Sequence, residues 1–137
     1  MKEAVIVSAA RTPFGRYGGG LKSLKAPELG GLAIKEAIER AKIAPEIVDE
    51  MIYGIVVPAG VGQIPARQAA LAAGLPKETP CLTINKVCGS APKAVCRCRT
   101  ARQKSRERIL RVRLRDGDMD LKMSGRQQTA RLLLFDK

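Results

Sequence analysis

Apolar positions along the chain come in short runs, and the spacing within them switches between strand-like and helix-like. Ala4 to Ala10 within Glu3–Ala10 is a compact β-branched run and predicts a buried strand. Arg11-Thr12-Pro13-Phe14-Gly15 breaks it, and Gly18-Gly19-Gly20 follows as a surface loop. From Pro27 to Ala41 the spacing becomes helical. Leu29, Leu32, Ala33 and Ala37, with the parallel row Ile34, Ile38 and Ala41, predict one apolar face. Pro45 to Glu50 predicts a short helical turn, and Met51 to Val57 a second buried strand stopped by Pro58 and Gly60-Val61-Gly62. Pro65 to Ala73 is alanine-rich and predicts a second helix, with Gly74 placed to cap its C-terminus. Cys81 to Val87 predicts a third strand. The order β-α-β-α-β predicts the α/β class, a sheet covered by helices.

The third strand runs into Cys88-Gly89-Ser90. A thiol followed by two small residues, at a strand-to-helix turn, has room for a substrate beside it. The N-terminus of the next helix would favour its thiolate. A thiolate is a nucleophile, so this stretch predicts covalent acyl transfer through Cys88. Cys81 lies inside the strand and reads as a small core residue.

Composition narrows the alternatives. The chain has 137 residues, no His, no Trp, two Tyr and two Phe, so the expected core is built from Ala, Val, Ile and Leu. Four cysteines with no His give no zinc-ligand pattern, and Cys96-x-Cys98 is their only close pair. No metal is expected. No segment reaches the roughly 20 apolar residues of a membrane span. The N-terminus lacks a signal peptide's apolar core, so a cytoplasmic protein is expected. Neither G-x-G-x-x-G nor G-x-x-x-x-G-K-[ST] occurs. The net charge of +12 is unevenly spread. Residues 1–95 carry 12 basic and 8 acidic residues, and residues 96–137 carry 13 and 5. Lysine predominates in the first piece (eight Lys, four Arg), and arginine in the second (three Lys, ten Arg).

Three ordered motifs carry a family resemblance. They are V-I-V-S-A-A-R-T-P-F-G (Val5 to Gly15), G-x-x-x-x-A-G-x-G-Q-x-P-A-R-Q (Gly54 to Gln68) and N-K-V-C-G-S (Asn85 to Ser90). Over about residues 3–95 the chain resembles the N-terminal part of a thiolase, of the acetyl-CoA acetyltransferase or 3-ketoacyl-CoA thiolase type. The resemblance implies a thiolase-like fold broken off after the nucleophile turn, with an incomplete sheet whose open edges favour aggregation. It implies that Cys88 forms an acyl-thioester from acetyl-CoA or a 3-ketoacyl-CoA. Coenzyme A thioesters are then substrates, and no resident cofactor is needed. A homo-oligomer, or association with intact thiolase subunits, is implied as well. Gln63, Arg67, Asn85 and Lys86 are motif members expected to shape turns and interfaces; for Gln68, as for Arg67, a solvated or capping role is expected. The family's remaining machinery is a His in N-x-x-G-G-x-x-x-x-G-H-P, a further oxyanion-hole His and a second Cys in C-x-G. None of these occurs in the 137 residues, so the chain reads as truncated and inactive alone. Thiolases also continue C-x-S-G-[LM]-[KQR]-A, where this chain has Ala91 and Pro92. A Cβ at 91 is expected to crowd the turn.

The resemblance therefore divides the chain into a partial thiolase N-terminal domain, 1–95, and an Arg-rich tail, 96–137. Alanine and glycine codons read two bases late yield arginine. The family's Gly-Gly-Met-Glu then becomes Arg-Asp-Gly, present here as Arg115-Asp116-Gly117. The tail is expected to be an out-of-frame translation beginning at about 91–96 and ending at an accidental stop. The alternatives are an inert structural remnant, or non-specific polyanion binding through the tail arginines. No aromatic interleaves them for base stacking, and no nucleic-acid-binding motif appears, so evolved nucleic-acid recognition is not expected. Within the tail, Ile109 to Arg115 alternates like a half-buried strand.

Overall fold

A computed structural model describes the backbone of residues 5–104, 111–115 and 131–136, and the side chains of residues 5–97. The elements run β1 (Val5–Arg11), α1 (Ala26–Ala41), a 3-10 turn (Pro45–Ile47), β2 (Glu50–Gly54), α2 (Pro65–Ala72), β3 (Cys81–Ile84), α3 (Ser90–Lys104), β4 (Arg111–Arg115) and β5 (Arg131–Asp136). The predicted β-α-β-α-β order is present and the class is α/β. Among the described residues no helix is long and apolar enough to cross a membrane.

The five strands form one mixed sheet in the order β1-β5-β4-β2-β3. β2 pairs in parallel with both β3 and β4, while β5 is antiparallel to β4 and β1. Among the described residues the outer strands β1 and β3 have no further neighbour, as expected of an incomplete sheet. The buried strand expected at the N-terminus is in fact this exposed edge. Val5, Ile6 and Val7 all face water, Ile6 at 55% exposure. An edge strand has a neighbour on one side only, and the pairing of β1 is interrupted between Ile6 and Ser8.

Side chains of β2 alternate between two layers. Met51 and Tyr53 face α1 and α2, where they meet Leu29, Ile34, Ala37, Ile38, Ala66 and Ala69. Ile52 faces the opposite way and packs against Ala94 of α3 and Ile84. The core is therefore less purely aliphatic than its composition suggested. Tyr53 is its largest fully buried side chain, and its hydroxyl donates to the Ala26 carbonyl at 3.2 Å. The two helices on this face cross closely. A Cβ at Gly31 would stand 2.7 Å from the Ala72 methyl, so the crossing requires glycine. Leu32, assigned by spacing to the apolar face of α1, lies off the arc that meets α2 and the sheet and is 57% exposed.

Two strands end sooner than their apolar runs. β2 stops at Gly54 rather than Val57, and β3 at Ile84 rather than Val87. In both cases Asn85 and Ser90, from the turn after β3, take over the backbone groups that a longer ladder would use. The tail is only partly legible in the sequence. β4 corresponds to the alternating stretch, whose Ile109 and Leu110 lie outside the described residues. β5, over the apolar Leu132-Leu133-Leu134-Phe135, was not anticipated.

Candidate functional site

β2 and β3 end side by side, with Gly54 level with Ile84. The Ile55 amide adds one more bond, to the Ile84 carbonyl at 3.0 Å, before the chains part. Catalytic groups collect at such strand ends in α/β sheets. Here the chain from Asn85 to Ser90 folds into a tight turn that starts α3.

Polar side chains build the turn. Asn85 Oδ1 accepts from the Val87 amide at 2.9 Å, and Asn85 Nδ2 donates to the Val56 carbonyl at 3.1 Å. Ser90 is 1% exposed. Its Oγ accepts from the Lys86 amide at 2.8 Å and stands 2.7 Å from the Val87 carbonyl and 3.0 Å from the Ile55 carbonyl. A hydroxyl has one proton, so Ser90 donates to one of these two carbonyls at a time. Two residues of the turn thus hold it against consecutive carbonyls, 55 and 56, at the end of β2.

Between them Val87 has φ +44°. A β-branched residue in the left-handed region is a genuine outlier, at a cost of about 1–3 kcal/mol. The strain makes the chain reverse within one residue, and Cys88 follows, exposed, two positions before α3 begins. The amides of Gly89 and Ser90 donate to the carbonyls of Lys86 and Val87, at 2.9 and 3.0 Å. Both are already engaged within the turn, so oxyanion stabilisation must come from other groups. Pro92 sits at the third position of α3, where an amide would lack an intrahelical partner, and is tolerated. The crowding anticipated at Ala91 falls on Gly54 instead. A Cβ there would stand 2.8 Å from the Ser90 carbonyl carbon and 3.0 Å from the Ala91 nitrogen, while Ala91 itself is accommodated half-buried.

The other motif residues form a supporting frame. Thr83 Oγ1 accepts from the Ala66 amide at 3.2 Å, tying the start of α2 to β3. Gln68 Nε2 donates to the carbonyls of Val61 and Gln63, at 2.9 and 2.8 Å, and holds the glycine-bearing loop before α2. Arg67 donates to the carbonyls of Thr79 (3.2 Å) and Lys77, fixing the approach to β3. Gln63 and Lys86 take part in these bonds through backbone atoms. Arg67, Gln68 and Asn85 therefore shape turns, while Ser90 is a contributor that sequence reasoning missed. Its signal was a small polar residue two positions after the cysteine.

Cys81 is half-buried and donates to the Thr79 carbonyl at 3.3 Å. Burial pushes its thiol above the ordinary value, and the Arg67 guanidinium beside it draws it part of the way back. A thiol held in its protonated form is a poor nucleophile. Cys96 is exposed on α3, and the side chain of Cys98 lies outside those described. Among the described residues, no group of three or more His, Cys, Asp or Glu could hold a metal ion.

The sequence matches the family model for the thiolase N-terminal domain over residues 4–108. An acetyl-CoA acetyltransferase of Cupriavidus necator is 60% identical over 95 residues, which is 69% of this chain and 24% of that protein. One from Clostridioides difficile is 58% identical over 90 residues, covering 66% of this chain and 84% of that sequence. The human mitochondrial acetyl-CoA acetyltransferase is 56% identical over 95 residues, 69% of this chain and 22% of that protein. The chain therefore spans under a quarter of the length of the Cupriavidus and human relatives. With the family match covering most of its residues, this chain belongs to the thiolase family.

Proposed function

We propose that Cys88 is the nucleophile of a thiolase-type acyl transfer. The observation that carries this reading is the exposed thiol of Cys88 on a strained turn, tied by side chains to the end of β2. Its Sγ would attack the thioester carbonyl of acetyl-CoA. The bond from that carbonyl to coenzyme A sulfur breaks, coenzyme A leaves as the thiol after taking up a proton, and an acetyl-thioester remains on Cys88. With a 3-ketoacyl-CoA the attack falls on the 3-keto carbonyl. The adjoining carbon–carbon bond then breaks, and acetyl-CoA departs after protonation of its carbon. The resulting activity is acetyl-CoA C-acetyltransferase or C-acyltransferase chemistry, with coenzyme A thioesters as substrates and no resident cofactor. Such chemistry belongs to lipid metabolism, and a reducing compartment such as the cytoplasm suits an exposed thiol.

These 137 residues include no His to activate the thiol and no C-x-G cysteine to handle a second substrate's proton. The chain alone would then complete the first half-reaction at most. Full turnover would need a second polypeptide that carries these groups, such as an intact thiolase subunit; a homo-oligomer of this chain would not supply them. Incubation with acetyl-CoA, followed by peptide-resolved mass spectrometry, should show one acetyl group on Cys88, abolished in Cys88→Ala. An unmodified Cys88 under conditions that acetylate an intact relative would refute the proposal.

We further propose that residues from about 91–96 to 137 are translated out of frame, so that 1–95 is the thiolase part. The register of β4 supports this. β4 lies between β2 and β5, and Arg111, Arg113 and Arg115 stand level with Glu50, Ile52 and Gly54. Interior strands of α/β sheets are apolar on both faces, and three arginines in five residues break that pattern. Sequencing the coding DNA tests it: the Gly-Gly-Met, Gly-His-Pro and C-x-G motifs should reappear in another frame. Their absence from every frame would leave the tail as native sequence.

A further inference from the structure

The geometry points to Asn85 and Ser90 as positioning residues that act on Cys88 by holding Val87 in its left-handed conformation. The functional meaning of this inference rests on the proposed acyl transfer; its geometry does not. Val87 is 61% exposed, so packing does not hold its backbone at φ +44°. Hydrogen bonds do, and both polar groups of its backbone are gripped. Its amide is taken by Asn85 Oδ1 at 2.9 Å. Its carbonyl faces Ser90 Oγ at 2.7 Å and the Ser90 amide at 3.0 Å.

Each gripping residue is itself anchored outside the turn, Asn85 on the Val56 carbonyl and Ser90 on the Ile55 carbonyl, where its hydroxyl donates while its amide keeps the Val87 carbonyl. The strained residue thus hangs from the end of β2 on two independent tethers. Without them Val87 would return to a negative φ, the ordinary region for a β-branched residue. A rotation of that size one residue before Cys88 redirects the Cα–Cβ bond of the nucleophile. The thiol would then point in a new direction. Asn85 is exposed and precedes Val87, whereas Ser90 is buried and follows it, so the two tethers are separable by mutation.

The test compares the full chain with Asn85→Ala, Asn85→Asp and Ser90→Ala. Aspartate keeps an oxygen to accept the Val87 amide but sets its second oxygen against the Val56 carbonyl, so it removes the outer anchor alone. Two readouts are taken, resolved by peptide: acetylation of Cys88 by acetyl-CoA, and alkylation of Cys88 relative to exposed Cys96 by iodoacetamide. Misplacing a reacting group by about 1 Å costs on the order of 100-fold, so acetylation should fall about 10- to 100-fold in Asn85→Ala and Ser90→Ala. The Cys88-to-Cys96 alkylation ratio should change at least about two-fold, since the redirected thiol takes a new exposure while Cys96 keeps its own. Asn85→Asp, which keeps the Val87 bond but loses the anchor on Val56, should fall between the wild type and Asn85→Ala in both readouts, and Cys96 should alkylate at one rate throughout. An unchanged ratio in Asn85→Ala, or a Cys96 rate that shifts in step with the change at Cys88, would overturn the inference. If the unaltered chain takes no acetyl group, the acyl-transfer reading fails, and the alkylation ratio decides the positioning role by the same criteria.

Discussion

Gly54→Ala offers a direct measure of how tightly the nucleophile turn is seated. The new methyl would lie 2.8 Å from the Ser90 carbonyl carbon, against 3.4 Å for ordinary contact, so the start of α3 must withdraw by about 0.6 Å. The obstructing atoms are backbone, which cannot rotate away as a side chain would. The hydroxyl bond from Ser90 to the Ile55 carbonyl, now 3.0 Å, would stretch beyond hydrogen-bonding distance. Overpacking of this kind costs about 1–3 kcal/mol. Replacing a strand glycine returns about 0.5–1 kcal/mol through lower chain entropy in the unfolded state. The net loss should be about 0–2.5 kcal/mol, centred on about 1 kcal/mol. With a urea slope of about 1–3 kcal/mol/M, a loss of about 1 kcal/mol should lower the unfolding midpoint followed by circular dichroism by roughly 0.3–1 M. Acetylation of Cys88 should fall with it, because the same shift moves the turn. Gly20→Ala is the control, since a Cβ there meets nothing within 4 Å and should leave both quantities unchanged. Full stability together with full Cys88 labelling in Gly54→Ala would refute the claim that β2 seats the turn by close backbone approach.

Other outcomes follow from the supporting frame. Thr83→Val keeps the shape of the side chain and strands the amide of fully buried Ala66, so stability should drop by about 1–3 kcal/mol and that amide should exchange faster with deuterium. For Cys81, burial raises the folded-state pKa, so the unfolded thiol ionises first as pH rises. Stability from this group is complete below the ordinary thiol range and is lost as pH climbs through it toward the raised folded value. Cys81→Ala should flatten the alkaline limb of a stability–pH curve, and Arg67→Ala should extend the loss to higher pH by removing the charge that lowers the Cys81 pKa. Equal alkaline slopes in all three proteins would count against the assignment.

The parts of the fold legible in the sequence were those set by local patterning. The apolar rows of α1 gave that helix nearly to the residue, because a helix 16 residues long repeats its signal over several turns. Gly74 closed α2 as anticipated, with φ +84°. The ends of β2 and β3 were misplaced because their termination is not local. Asn85 and Ser90 reach the carbonyls of residues 55 and 56, some 30 positions earlier in the chain. The exposed state of β1 was hidden for a related reason. Its composition is that of an interior strand, and only the position of β5 beside it shows that it is an edge. The position of Cys88 on an exposed turn was legible because the thiol and its small neighbours are contiguous. The strain at Val87 was not, since nothing about a valine announces a positive φ.

Tyr53 gives the chain a built-in optical reporter. With no tryptophan in the sequence, tyrosine dominates its near-ultraviolet spectrum, and the two phenols occupy opposite environments. Tyr17 is largely in water, whereas Tyr53 is sealed between α1 and β2 with its hydroxyl on the Ala26 carbonyl. A change in absorbance or emission on unfolding, titration or partner binding therefore reports chiefly on one interface, the seam between the first helix and the sheet. The polarity at that seam can be followed without a label, and a Tyr17→Phe chain would carry the signal of a single side chain.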